Sequence, residues 1–112
     1  MNYCDAHCHL ANLSQIIPLE PLFVEASEQH ITRYLSSALT KADLGWYQEH
    51  AAQHSILYSA GIHPNFEHCD LEYADIHSLC EQKRIWAIGE IGLDRGNPEF
   101  ALMRDTFVKQ LD

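Results

Sequence analysis

The feature that most constrains this chain is an alternation. Short runs with strand character are followed, four times over, by longer runs with helical spacing. Asn2–Asp5 reads as the first strand. A connection containing Pro18 and Pro21 leads into a helix over about Glu20–Gln29, with Leu22, Phe23 and Ala26 on one side. Thr32–Ala38 (TRYLSSA) reads as the second strand. Thr40 is an N-cap with Asp43 in the first turn, and the helix behind it runs to about Gln53. Ser55–Ala60 (SILYSA) is the third strand, closed by Gly61. Asp70–Gln82 is a helix with Leu71, Ala74, Leu79 and Cys80 as its apolar positions. Ile85–Gly89 (IWAIG) is a continuous apolar run, the pattern of a strand buried on both faces. Asn97 is a second N-cap with Pro98 at the first helical position, and Phe100, Met103, Phe107 and Leu111 follow at helical spacing.

Strands that alternate with helices form a parallel sheet with right-handed crossovers. The 112 residues hold one domain, 1–112, of four βα units. That is about half of a (β/α)₈ barrel, which needs ~250 residues. The last helix stops at Asp112 with no Gly or Pro to end it, and its terminal carboxylate faces the negative end of the helix dipole. The expectation is a half-barrel cut before a fifth strand.

Composition narrows the classes. An apolar fraction of 46% with 10% aromatics is that of a globular chain. With 7 Lys plus Arg against 16 Asp plus Glu, the formal charge is −9. That argues against holding nucleic acid by neutralising its phosphates. Two divalent cations would add about +4 at one place, so phosphate can still be met at a metal centre. There is no basic, apolar leader at the N-terminus and no apolar stretch near the ~20 residues that span a bilayer. No two of Cys4, Cys8, Cys69 and Cys80 are in CxxC spacing. A cytoplasmic protein with reduced thiols is the expectation, without a membrane partner.

The residues that carry chemistry gather at strand ends. Asp5-Ala6-His7-Cys8-His9 follows the first strand. Residues two apart in an extended segment point to one side, so His7 and His9 can place two imidazoles on one ion. Two unrelated surface histidines are the alternative. His63 lies after the third strand in GIHP, and Glu90 after the fourth in GEIGLD. All three sites fall on the C-terminal edge of the sheet, where barrel enzymes keep their catalytic residues. A carboxylate behind an apolar strand needs a partner, either a metal or a basic side chain.

Asp5-x-His7-x-His9, GIHP and GEIGLD, in this order and spacing, resemble the TatD family of metal-dependent deoxyribonucleases. The resemblance spans the chain, down to the Phe107-x-x-Gln110-Leu111 ending, and corresponds to roughly the N-terminal 40 to 45% of a ~250-residue barrel. It implies a divalent-metal-dependent hydrolase of phosphodiester bonds with DNA as substrate. His7 and His9 would ligate one ion. Glu90 would ligate or bridge two, as the catalytic carboxylate. His63 would contact substrate phosphate. Asp5 and Asp94 would orient the ligands. The ions would be Mg, Mn or Zn, two in a complete protein. The chain departs from the family at Ala11, where an acidic residue is frequent, and at Arg95, where an aromatic is frequent. The family's further ligands, two histidines and an aspartate, come from later strands that this chain lacks. The competing expectation is therefore a non-catalytic half-barrel that retains metal binding or associates through its open edges.

The other histidines, His30, His50, His54, His68 and His77, read as solvated. Cys8 should point away from its neighbours by strand alternation. Trp46, Tyr47 and Trp86 read as packing residues.

Overall fold

A computed structural model describes residues 1–112. The elements are β1 (Tyr3–Cys8), α1 (Leu10–Leu13), α2 (Leu19–Glu28), β2 (Ile31–Ala38), α3 (Lys41–His50), β3 (Ile56–Ala60), α4 (Tyr73–Glu81), β4 (Ala87–Ile88) and α5 (Phe100–Leu111). The four strands form one sheet in the order β1-β2-β3-β4, and every neighbouring pair is parallel. This is the expected succession of βα units, curled as half a barrel.

Parallel register puts partners on a common face. Tyr34 lies beside Ile56, Ser36 beside Tyr58, and Ala38 beside Ala60. This face takes the helices. Tyr47 of α3 stacks on Tyr58 with ring centroids 5.2 Å apart, and Phe23 of α2 leans on Tyr34 at 5.3 Å. Tyr34, Ala38, Leu44, Tyr47, Ile56 and Ala60 are core residues there. The opposite face would be the interior of a closed barrel. It carries Leu35, Leu57, Ser37 and Ser59, and Leu57 is 39% exposed.

Local chemistry sets the element ends. Thr40 caps α3 in a reciprocal box: its hydroxyl accepts from the Asp43 N–H, while Asp43 Oδ2 accepts from the Thr40 N–H at 3.1 Å. The helix ends at His50 and tightens into a 3₁₀ turn, Ala51–His54, so the expected run to Gln53 is two kinds of helix. Ser55 then takes a left-handed φ of 56° and β3 starts one residue later than expected. Glu72 and Asp75 build the same kind of box on α4. They set its start at Tyr73 and leave Asp70 outside. Its buried residues are Ile76 and Leu79; Ala74 and Cys80 face solvent.

Three expectations need correction. β1 extends through Cys8, so His7 lies inside the strand rather than after it. β4 is only two residues long and is not buried on both faces: Trp86 is 69% exposed and Ile88 37%. Ile85–Gly89 forms the outer edge of this sheet, and the apolar run has nothing on its far side. α5 begins at Phe100 with Glu99 as N-cap, because Asn97 Oδ1 accepts from the Glu99 N–H and spends Asn97 on a turn before the helix.

Candidate metal centre

Alternation along β1 sorts its end. Cys8 sits in register with Ser36 on the helix side. Its Sγ lies 3.7 Å from the Leu35 carbonyl oxygen. Burial pushes the Cys8 thiol up to about 11. It is a protonated packing residue. His7 and His9 therefore face the other way, with ring centroids 5.1 Å apart in an edge arrangement.

Glu90 reaches them from the loop after β4. His7 Nε2 lies 3.0 Å and His9 Nε2 2.9 Å from Glu90 Oε1. His63, from the loop after β3, places Nε2 3.0 Å from the other oxygen, Oε2. The structure thus brings together all four residues at the strand ends. The donor atoms of His7, His9 and Glu90 all lie within 4.8 Å of one another. The Glu90 side chain is 24% exposed and His7 59%, so the cluster opens outward through His7.

Gly61 makes this approach feasible. A Cβ at that position would lie 2.8 Å from Ile91 Cγ2 and 2.9 Å from the Glu90 carbonyl oxygen. Only a glycine lets the end of β3 come this close to the Glu90 backbone. From the other side, buried Gln110 of α5 accepts from the Ile62 N–H at 2.7 Å. That bond pins the main chain next to His63.

The donor chemistry fits a cation. His9 Nδ1 lies 3.2 Å from the Ser37 carbonyl oxygen. A carbonyl only accepts, so Nδ1 carries the hydrogen and Nε2 of a neutral ring is a lone pair. That lone pair faces a carboxylate oxygen at 2.9 Å. Glu90 Oε1 is buried and has no hydrogen-bond donor. Two acceptors in contact, one of them a buried orphan, are stable only with a positive charge between them.

Asp5 and Asp94 do not touch the imidazoles. Asp5 Oδ1 accepts from the His7 main-chain N–H at 3.1 Å and so shapes the strand beneath the ring. Asp94 accepts from the Gly96 N–H at 2.9 Å and from Asn65 Nδ2 at 2.6 Å. These two donors, Gly96 first, hold its carboxyl below the ordinary carboxylate range.

Several supporting groups were not singled out from sequence. Ser36 Oγ is 2.6 Å from Tyr47 Oη and accepts from the Leu10 N–H at 2.9 Å. The Tyr47 hydroxyl also accepts from the Ala11 N–H and donates to the Ser37 carbonyl, the one that orients His9. Tyr47 thus joins α3 to the short α1 turn behind the histidines, beyond the packing role read for it. Asn65 stands just after GIHP in a position with no charge, and only its place beside His63 could have drawn notice. A cavity of about 150 Å³ lies behind His63 against Met103 and Phe107. This is below the roughly 300 Å³ of small-molecule sites, so a substrate would approach from the open face instead.

Parallel βα units thus bring a His-x-His pair and a glutamate together at the C-terminal edge of the sheet. Residues 4–112 match the family model described as TatD related DNase. The chain belongs to that family, whose fold is the TIM barrel and whose members are metal-dependent. No curated protein matches it.

Proposed function

We propose that this chain carries the first part of a divalent-metal phosphodiesterase centre acting on DNA, with His7, His9 and Glu90 as ligands. The observation behind this reading is the buried, donor-less Glu90 Oε1 between two imidazole nitrogens. Divalent ions, when bound, acidify water and polarise phosphoryl oxygens. The protein residues prepare that chemistry. His9 is held in one tautomer by Ser37 and offers Nε2. Glu90 offers Oε1, while its Oε2 stays engaged with His63. His63 is 26% exposed, so its ring is reachable by a substrate phosphate bound above the cluster.

Three donors suffice for one ion, and catalytic zinc sites often have three plus water. A second ion, which steadies the leaving oxygen in two-metal hydrolysis, needs further donors. We therefore expect the 112-residue chain to bind one divalent ion and to hydrolyse DNA slowly. Cys4, Cys8, Cys69 and Cys80 are all free thiols, which suits the reducing cytoplasm. No helix is long and apolar enough to cross a membrane.

A second reading has its own observation. β1 is exposed along most of its length; His7 lies in it and His9 directly after it. An interior face this open favours a metal-binding half-barrel that associates with a second copy or another chain and turns over little by itself. One experiment addresses both. Zn²⁺ and Mn²⁺ binding is measured by calorimetry, beside hydrolysis of single-stranded DNA, for the wild type, Glu90→Gln and the His7→Ala, His9→Ala double variant. Binding near one equivalent, lost in both variants, is the expected result. Equal binding by all three would end the metal assignment. Rapid turnover by the wild type would end the second reading.

A further inference from the structure

Two of the site's residues, His63 and Glu90, come from the loops after β3 and β4, and a set of polar groups ties these loops together. Asn65, in the loop after β3, is the joint. Its Nδ2 donates to Asp94 Oδ2 at 2.6 Å, and its Oδ1 accepts from Asn97 Nδ2 at 3.1 Å. Asn97 Nδ2 also lies 3.4 Å from the Pro64 carbonyl oxygen. On the far side, Asp94 Oδ1 accepts from the Gly96 N–H, and the Asp94 carbonyl accepts from the Asn97 N–H at 3.1 Å. Both ends of the Asn65 amide are therefore matched to a partner of fixed polarity, and only one orientation of the amide satisfies both.

Asn65 also acts through its main chain. Its N–H donates to His63 Nδ1 at 3.0 Å. A backbone N–H only donates, so Nδ1 must present its lone pair and the ring hydrogen sits on Nε2. His63 Nε2 is 3.0 Å from Glu90 Oε2, and it donates there. His9 is the opposite tautomer, with its hydrogen on Nδ1 toward Ser37. Two imidazoles of opposite tautomer thus address the two oxygens of one carboxylate. His63 hydrogen-bonds Oε2, which leaves Oε1 as the oxygen turned to His7 and His9.

We propose that Asn65 and Asp94 form a clasp between the two loops that fixes His63 as the Nε2–H tautomer and thereby sets the orientation of Glu90. They are positioning residues, and the proposal rests on the metal-hydrolase reading for what the oriented carboxylate then does. Asn65 lies at the surface. A hydrogen bond at so exposed a place contributes little to folding. Breaking the clasp should therefore be felt at the site before it is felt in global stability.

The test uses polarity. Asn65→Asp sets two carboxylates against each other and opens the clasp. The swap Asn65→Asp, Asp94→Asn restores a donor and an acceptor in reverse, and residue 65 still accepts from Asn97. The imidazole nitrogens of His63 are read by ¹⁵N NMR in metal-free protein, Mn²⁺ affinity by calorimetry, and folding by circular dichroism. The wild type should show the Nε2–H tautomer. Asn65→Asp should mix the tautomers and weaken Mn²⁺ binding about tenfold, the scale for losing a partner that orients a ligand. The swap should recover both. Should Asn65→Asp fail to fold, Asn65→Ala takes its place against the wild type. A folded Asn65→Asp chain with an unchanged tautomer and affinity overturns the clasp, as does a folded swap that recovers neither. A wild type that binds no Mn²⁺ sinks the hydrolase reading instead, and the tautomer measurement then decides the clasp alone.

Discussion

Cys8 and its two histidine neighbours show how adjacent residues of a strand end can be given opposite fates. His7 and His9 turn to the open face and Cys8 to the helix side, although all three are ligand types for zinc. The difference is measurable. Because burial raises the Cys8 thiol to about 11, the reactive thiolate is scarce at pH 8 and grows only as pH approaches that value. Cys4 and Cys80 are exposed and should be alkylated first at pH 8, with Cys8 lagging in peptide mass analysis. Early labelling of Cys8 would contradict its placement. Tyr47 offers a second check. Its hydroxyl contacts Ser36, the Ala11 N–H and the Ser37 carbonyl inside the core. Tyr47→Phe takes the Ala11 N–H's partner away and removes one contact each from Ser36 and the Ser37 carbonyl, and it should lower stability by about 1–3 kcal/mol in urea unfolding. A neutral substitution would mean that the hydroxyl is dispensable.

Among the elements, the third βα unit does the most to place Glu90, which belongs to the fourth. Gly61→Ala drives a methyl into the Glu90 and Gly89 backbone. Overpacking of this kind costs about 1–3 kcal/mol. Here the strain falls on the ligand loop, so we expect weaker Zn²⁺ binding as well as a lower melting temperature. Unchanged affinity would show that the loop absorbs the methyl elsewhere. The element pattern itself was legible in the sequence, because strand and helix periods alternate cleanly and Thr40 advertises its cap. The gathering of His7, His9, His63 and Glu90 was legible for the same reason: parallel strands bring all their C-terminal ends to one edge. The extent of β4 was not. An apolar run such as Ile85–Gly89 reads as doubly buried only if something lies on both sides, and the run itself does not report that β4 is an edge strand. Nor were Asn65, Ser37 and Gln110 legible as parts of the site. They act through main-chain groups or uncharged amides, which leave no compositional mark.

For the molecule as a whole, the surface is the outstanding quantity. A compact 12.8 kDa chain should expose about 6,300 Å², and this one exposes 7390 Å². Its radius of gyration, 15.0 Å, exceeds the roughly 13 Å of a compact domain of this length. Tyr3 on β1, Leu57 on the interior face, and Trp86 and Ile88 on the helix side at the β4 edge are all open to solvent. We expect the isolated chain to associate through these strands, with sedimentation above the monomer mass and binding of a hydrophobic dye. A clean 12.8 kDa species without dye binding would contradict that.

His7 belongs to the first strand and Glu90 to the loop after the last, and they meet across the top of β2 and β3. An ion held between them would be a hoop around an otherwise open arc of sheet. It would join the two margins that no hydrogen-bond ladder connects, and each margin would lose its freedom to splay. A saturating ion, at a hundred times its dissociation constant, would add about 2.7 kcal/mol. At a few degrees per kcal/mol for a domain of this size, that is a rise in melting temperature of about 10 to 20 °C, reversed by a chelator. The reagent of catalysis would then double as the tension member of the arc, and how far the sheet can uncurl would be set by how tightly the ion is held.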